Sequence, residues 1–152
     1  MSNATKGFAD FGLPVIEDDK PELLCPAAGL MTGLKWLRTL REVDWSVFAP
    51  VDAPFVPRDF VVRLVKEESN ANAVAACAVA RSQLHPTVSG WSVDFGERLW
   101  SLIHDSGALA LHKLLPEVNA LSVSLDANSD MNLAFLSLSN IRELESAAMQ
   151  AR

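Results

Sequence analysis

From residue 26 onward the chain alternates between stretches with a helical hydrophobic period and stretches too rich in proline to hold one. Leu30, Leu34 and Leu37 recur at i, i+4 and i+7 behind Pro26, and Trp36 and Leu40 widen the stripe. That spacing predicts a helix over 26–43, with Pro26 in the first turn, where its missing N–H costs nothing. Lys35, Arg38 and Arg41 recur every three residues on the opposite side. This basic stripe is either a solvated face or a contact for an acidic partner. Over 44–57, Trp45, Phe48 and Phe55 are interleaved with Pro50, Pro54 and Pro57. Proline at that density excludes a long helix or a central strand, so an extended loop pinned by its aromatics is expected. Residues 58–68 read as a helix. Phe60, Val61, Leu64 and Val65 share a face, and Lys66, Glu67 and Glu68 continue it as good helix formers. The β-branched content of the same run also suits a strand.

The run Ala71, Ala73, Ala75, Ala76, Cys77, Ala78, Ala80 consists of small side chains that let neighbouring backbones come close. It predicts a buried helix from Asn70 to about Leu84, capped by Ser69 or Asn70 and ended by Pro86. Residues 86–90 then form a linker and a possible internal boundary. Phe95, Leu99, Leu102 and Ile103 give 91–104 an amphipathic helical period, stopped by Asp105-Ser106-Gly107. After Pro116 the period changes to two. Leu121-Ser122-Val123-Ser124-Leu125 alternates, 126–130 is turn chemistry, and alternation resumes around Leu136-Ser137-Leu138-Ser139. A β-hairpin followed by a helix from Asn140 is the reading favoured, and one helix over 130–150 is its rival. The expected fold is therefore α+β and mainly helical, with N-terminal helices, a C-terminal β-hairpin and a closing helix. An all-α bundle is the alternative. Residues 1–25, with Gly7, Gly12, Pro14 and Pro21, read as a flexible arm, and 26–152 as a single globular domain.

Composition narrows the function classes. At 152 residues, with 49% apolar and 21% charged side chains, a real core is possible and bulk disorder is excluded. The net charge is -6, divided as -2 over 1–90 and -4 over 91–152. No basic patch of the size that phosphate neutralisation requires is present, which argues against nucleic acid. Cys25 and Cys77 are too few and too far apart for a disulfide framework, which points to a reducing compartment. Residues 1–20 lack the apolar segment of a signal peptide. The uncharged run 71–80 is about half the length a membrane helix needs. A cytoplasmic location without membrane insertion is expected.

No catalytic or metal constellation stands out. His104-Asp105-Ser106 has the residue types of a hydrolase triad, but neighbours in sequence cannot form that relay. His85, His104 and His112 have no metal-ligand spacing. Neither a Walker loop nor a Gly-rich dinucleotide turn is found. No catalytic residue, metal or cofactor is therefore expected.

Gly96-Glu97-Arg98-Leu99-Trp100, then Ala110 and Leu114 before Pro116-Glu117, and finally Arg142-Glu143-Leu144-Glu145, form a pattern over 91–150. It resembles the C-terminal domain of flagellar hook-length control proteins and their type III secretion needle-length relatives. The resemblance implies a non-enzymatic specificity-switch domain that docks on an export-apparatus protein. Pro116, Glu117, Val118 and Asn119 would be its switch loop, and secretion without a signal peptide would be open to it. The alternative is a small cytosolic helical adaptor or chaperone unrelated to secretion, with Lys35, Arg38 and Arg41 as its partner-binding stripe.

Overall fold

The centre of the molecule is a strand made almost wholly of alanine-sized side chains. In the computed structural model the elements run α1 (Pro26–Leu40), β1 (Trp45–Phe48), α2 (Phe60–Ala71), β2 (Ala75–Ala80) and β3 (Gln83–Ser92). There follow α3 (Gly96–Ser106), α4 (Leu111–Glu117), β4 (Leu121–Ser124) and α5 (Ile141–Gln150). The structure describes residues 8, 11–19, 23, 25–71, 73–106, 110–125, 135, 137–138 and 140–150. The strands make a four-stranded sheet in the order β1-β3-β2-β4. β3 is antiparallel to both β1 and β2, and β4 is parallel to β2. So β1, β2 and β4 point one way and β3 the other.

Both faces of the sheet are covered, which explains the composition of β2. On one face α1, α3 and α4 pack Leu30, Leu34, Leu99, Ile103 and Leu114 against Ala75, Cys77 and Trp91. On the other, Leu64 of α2 meets Ala76, Ala78, Val88 and Val123. Leu34, Leu64, Leu99 and Leu114 are buried to within 1% exposure, each worth about 1.5–3 kcal/mol of transfer free energy. α1 and α3 approach so closely that a Cβ on Gly96 would lie 3.1 Å from Leu34 Cβ, a tight contact that glycine avoids.

The ends of the helices follow local rules. α1 stops where Arg41 turns left-handed at φ 57°. α4 ends in a Schellman cap: the Ala120 N–H bonds Leu115 C=O at 3.0 Å, and the Asn119 N–H bonds Pro116 C=O at 3.0 Å. Asn119 takes φ 50° to allow it. At α5, Asn140 Oδ1 accepts from the N–H groups of Arg142 and Glu143, both at 3.1 Å, while its Nδ2 donates to Glu143 Oε1 at 2.8 Å. That reciprocal cap fixes the start of the helix.

Several expectations are corrected. The fold is mixed α/β around one sheet, and neither mainly helical with a C-terminal hairpin nor an all-α bundle. The 70–84 stretch is the end of α2, then β2 and the start of β3. Burial between two helical layers overrode the helix propensity of alanine. The loop expected over 44–57 contains β1, and the 86–90 linker lies inside β3. The 91–104 helix begins at Gly96, because Trp91 is still strand. β4 does occupy the first alternating run, but it pairs with β2 instead of a following strand. Residues 126–134, 136 and 139 of the supposed hairpin lie outside the described residues, and 137–138 are not strand. The stretch assigned to an arm is described at 11–19, where the Asp19 N–H bonds Thr32 Oγ1 of α1 at 3.0 Å. Among the described residues no helix is long and apolar enough to cross a membrane.

Candidate functional site

The direction of the strands gives the sheet two unlike edges. Phe48, Ala80 and Ser124 end three strands at one of them, and β3 starts there at Gln83. In open α/β sheets ligands bind in the crevice beyond the carboxyl ends of parallel strands, where loops rather than strands present polar groups.

Four features converge on that edge. The first is the loop after β1. Pro50 and Pro54 flank Asp52 and fix φ on either side of it, while Ala53 turns inward at 8% exposure. Asp52 is left exposed at the head of the turn. Its carboxylate accepts a short hydrogen bond from Ser137 Oγ, and its backbone C=O accepts the Leu138 N–H at 2.8 Å. The loop is thus held from a segment 85 positions later in the chain.

The second feature is the turn between β2 and β3. Arg81 and Ser82 both have positive φ, 51° and 59°, which makes a two-residue hairpin turn of the primed class. Non-glycine residues adopt that conformation only under constraint from the flanking strands. Arg81 is thereby placed, exposed, at the carboxyl edge.

The third is a bulge in β3. Cys77 pairs with Ser89 and Ala78 with His85, so Pro86, Thr87 and Val88 fall between partners. Such bulges bend a strand and re-aim its side chains. Two hydrogen bonds brace this one: Trp91 Nε1–H donates to Ser89 Oγ at 2.8 Å, and Ser89 Oγ donates to Pro86 C=O at 2.9 Å. The His85 backbone N–H also donates to the Cys77 sulfur. Burial pushes the Cys77 thiol up to about 11 in spite of that bond, so it is no nucleophile at neutral pH. The His85 ring stacks on Phe135 with centroids 3.8 Å apart.

The fourth is Arg63 on α2. Its Nε donates to Asp59 Oδ2 at 2.7 Å and its Nη1 to the Ser124 C=O at 3.5 Å, tying α2 to the end of β4. Among the described residues the edge therefore presents the exposed Asp52 carboxylate on a braced loop, while the Arg63 cation is already paired with Asp59. This arrangement suits holding a cation against an anionic ligand rather than nucleophilic catalysis by the protein.

The residues singled out from sequence lie elsewhere. Lys35, Arg38 and Arg41 follow α1 toward the amino ends of the strands. Lys35 pairs with Asp19 and Arg38 with Glu97, which raises the Arg38 guanidinium above its ordinary range. A groove of about 460 Å³ between α1 and α3 is lined by Met31, Trp100, Gly96 and these paired charges, so it offers no uncompensated charge to select a ligand. Arg41 borders a neighbouring hollow with Asp44 and Asp94. Pro116, Glu117, Val118 and Asn119 form the last turn and cap of α4 that feeds β4. That cap is made by backbone groups alone. Sequence reasoning gave no role to Asp52 or Phe135, weighed His85 only as a metal ligand, and read Ser137 only as part of an alternating run. The available signals were an aspartate set between two prolines just after an apolar run, and a histidine directly before a proline.

Comparison with known proteins bears on this edge. A family model described as the MobA-like NTP transferase domain matches residues 2–120. A molybdenum cofactor guanylyltransferase from Nitrobacter hamburgensis is 41% identical over 93 residues, 60% of this chain and 44% of that protein. Another, from Cupriavidus pinatubonensis, is 33% identical over 115 residues, 70% of this chain and 56% of that protein. The chain spans about half the length of the curated relatives it matches. A crystal structure from Aquifex aeolicus superposes with a TM-score of 0.69 at 19% identity, covering 91% of this chain and 69% of that one. Molybdopterin-guanine dinucleotide biosynthesis protein A from Archaeoglobus fulgidus gives 0.54 at 19% identity, with 82% and 61% covered. Both likenesses are of fold. These matches overturn the resemblance to hook-length and needle-length control proteins. The first part of the pattern that carried it, Gly96 to Glu117, lies inside the matched residues and forms α3 and α4. The matches equally overturn the non-enzymatic export-switch reading and the adaptor or chaperone alternative, since the relatives are named as transferases.

Proposed function

The chain belongs to the MobA-like NTP transferase domain family, and on that premise we propose that it takes part in transferring a guanylyl group to the molybdenum cofactor, as the relatives' names describe for them, with GTP as the donor. In such a transfer an acceptor oxygen attacks the α-phosphorus of GTP. The bond to the bridging oxygen of the β-phosphate breaks, and pyrophosphate leaves. The protein's task is to align donor and acceptor and to offset the charge that builds on the phosphates.

The single observation that supports this reading most is Asp52, an exposed carboxylate past the end of β1 at the ligand-binding edge of the sheet. Magnesium commonly takes one or two protein carboxylates and completes its shell with substrate phosphates and water. Asp52 fits that donor set, whereas among the described residues no group of three ligating side chains would cage an ion. A divalent cation held there would neutralise phosphate charge. Asp52 would bind it, and Ser137 Oγ would fix the orientation of the carboxylate. Arg63 and Asp59 steady the neighbouring helix start. The cytoplasmic location expected from sequence is kept in this proposal.

The test is transfer of label from α-labelled GTP to molybdenum cofactor by the purified chain with magnesium, with pyrophosphate followed in parallel. Labelled cofactor is expected, and Asp52→Asn should slow its formation by about 100-fold, the loss typical of removing one transition-state electrostatic contact. No label transfer, or an Asp52→Asn protein as active as the parent, would count against the proposal.

A further inference from the structure

The bulge in β3 has no counterpart in β2 to explain it. Pro86, Thr87 and Val88 are extra, and they are braced by the buried Trp91–Ser89–Pro86 relay. His85, paired with Ala78 three positions from the tight turn, stands just before them at the carboxyl edge. There its ring lies almost flat on Phe135, at 3.8 Å and 19°. Two residues after Phe135, Ser137 Oγ bonds the Asp52 carboxylate, and the next N–H, of Leu138, bonds the Asp52 backbone. Phe135 also packs against the apolar cluster of Leu64, Val88 and Val123. His85 thus holds Phe135, and Ser137 and Leu138, two and three positions further along the chain, hold Asp52. Asp52 itself sits on an exposed loop whose position depends on such contacts.

We propose that His85 is a positioning residue for Asp52: its ring anchors Phe135, and through it Ser137 and Leu138, whose hydrogen bonds orient Asp52. The inference rests on the guanylyl-transfer reading for the meaning of that orientation, while the contacts themselves stand independently of it. His85 need not touch substrate, and the role requires a flat ring rather than a proton.

Three variants decide the matter: His85→Ala, His85→Phe and Asp52→Asn. Amide exchange at Leu138 reports the anchor directly, and Mn²⁺ binding followed by EPR reports the carboxylate. His85→Ala should speed Leu138 exchange about fivefold, the size expected from losing one aromatic pair, and weaken Mn²⁺ binding by a similar factor. Core amides such as those of Ala78 and Leu99 should keep their protection, which general destabilisation would not allow. His85→Phe should restore both readouts. Unchanged Leu138 exchange in His85→Ala, or a Phe variant as impaired as the Ala one, overturns the positioning role. If instead Asp52→Asn leaves Mn²⁺ binding intact, the cation-site reading fails, and Leu138 exchange still decides the role of His85.

Discussion

Replacing Ser89 with alanine should cost more stability than its small size suggests. Ser89 and Trp91 are both 0% exposed, and the hydroxyl serves two partners at once. It accepts from the Trp91 indole N–H at 2.8 Å and donates to the Pro86 carbonyl at 2.9 Å. Alanine leaves the indole N–H buried without an acceptor. A buried donor stripped of its partner costs about 1–3 kcal/mol, more than the net gain of an ordinary hydrogen bond. At about 2 kcal/mol, a domain of this size should melt about 4–8 °C lower. Trp91→Phe removes the donor and loses packing as well. The double variant should therefore be less destabilised than the sum of the two singles by at least about 0.5 kcal/mol, because the stranded donor is gone. Urea unfolding of the four proteins, with their m-values compared, provides the cycle. A Ser89→Ala cost below about 0.5 kcal/mol, or strict additivity, would show that the relay does not brace the bulge.

Three further outcomes are expected. The Cys77 thiol, raised to about 11 by burial, keeps its proton in the folded protein after the unfolded chain, titrating near 9.0, has lost it. Stability should therefore be unaffected by this group below pH 9 and fall between 9 and 11, by up to about 3 kcal/mol. Cys77→Ala should flatten that limb of a urea-midpoint profile against pH, and an identical slope would refute the assignment. Asn140→Ala removes both partners of the α5 cap and should cost about 1 kcal/mol, seen as lost ellipticity and a lower melting midpoint; no change would mean the cap is idle. Gly96→Ala places a methyl 3.1 Å from Leu34 Cβ and should cost about 1 kcal/mol by the same urea assay, overpacking less the gain in helix propensity, whereas a neutral result would show that Leu34 gives way by a few tenths of an ångström.

What could be read from sequence was local. α1 lies within its predicted range because Leu30 and Leu34 repeat at the helical period behind a proline start, and α5 begins after Asn140, whose cap is encoded within four residues. The sheet could not be read in the same way. β2 is buried on both faces, so it shows no alternation, and its alanines favour helix in isolation. Its turn into β3 uses Arg81-Ser82 at positive φ instead of Asn-Gly, so the usual hairpin signal is missing. Pro86 argued against a strand, but it sits in the bulge, where no ladder donor is needed. The candidate site was harder still. Asp52, His85, Phe135 and Ser137 are spread over 86 positions and meet only through the strand order. The basic stripe was legible as a periodicity, but its neutralisation by Asp19 and Glu97 depends on contacts no periodicity reports.

The measurement closest to the central claim is the location of the cation. Crystals of the chain grown with GTP and Mn²⁺ should show an anomalous peak about 2.2 Å from an Asp52 carboxylate oxygen, with the rest of its shell supplied by phosphate and water. A peak at the Asp44 and Asp94 hollow on the opposite edge, or nucleotide bound with no metal at Asp52, would contradict the account.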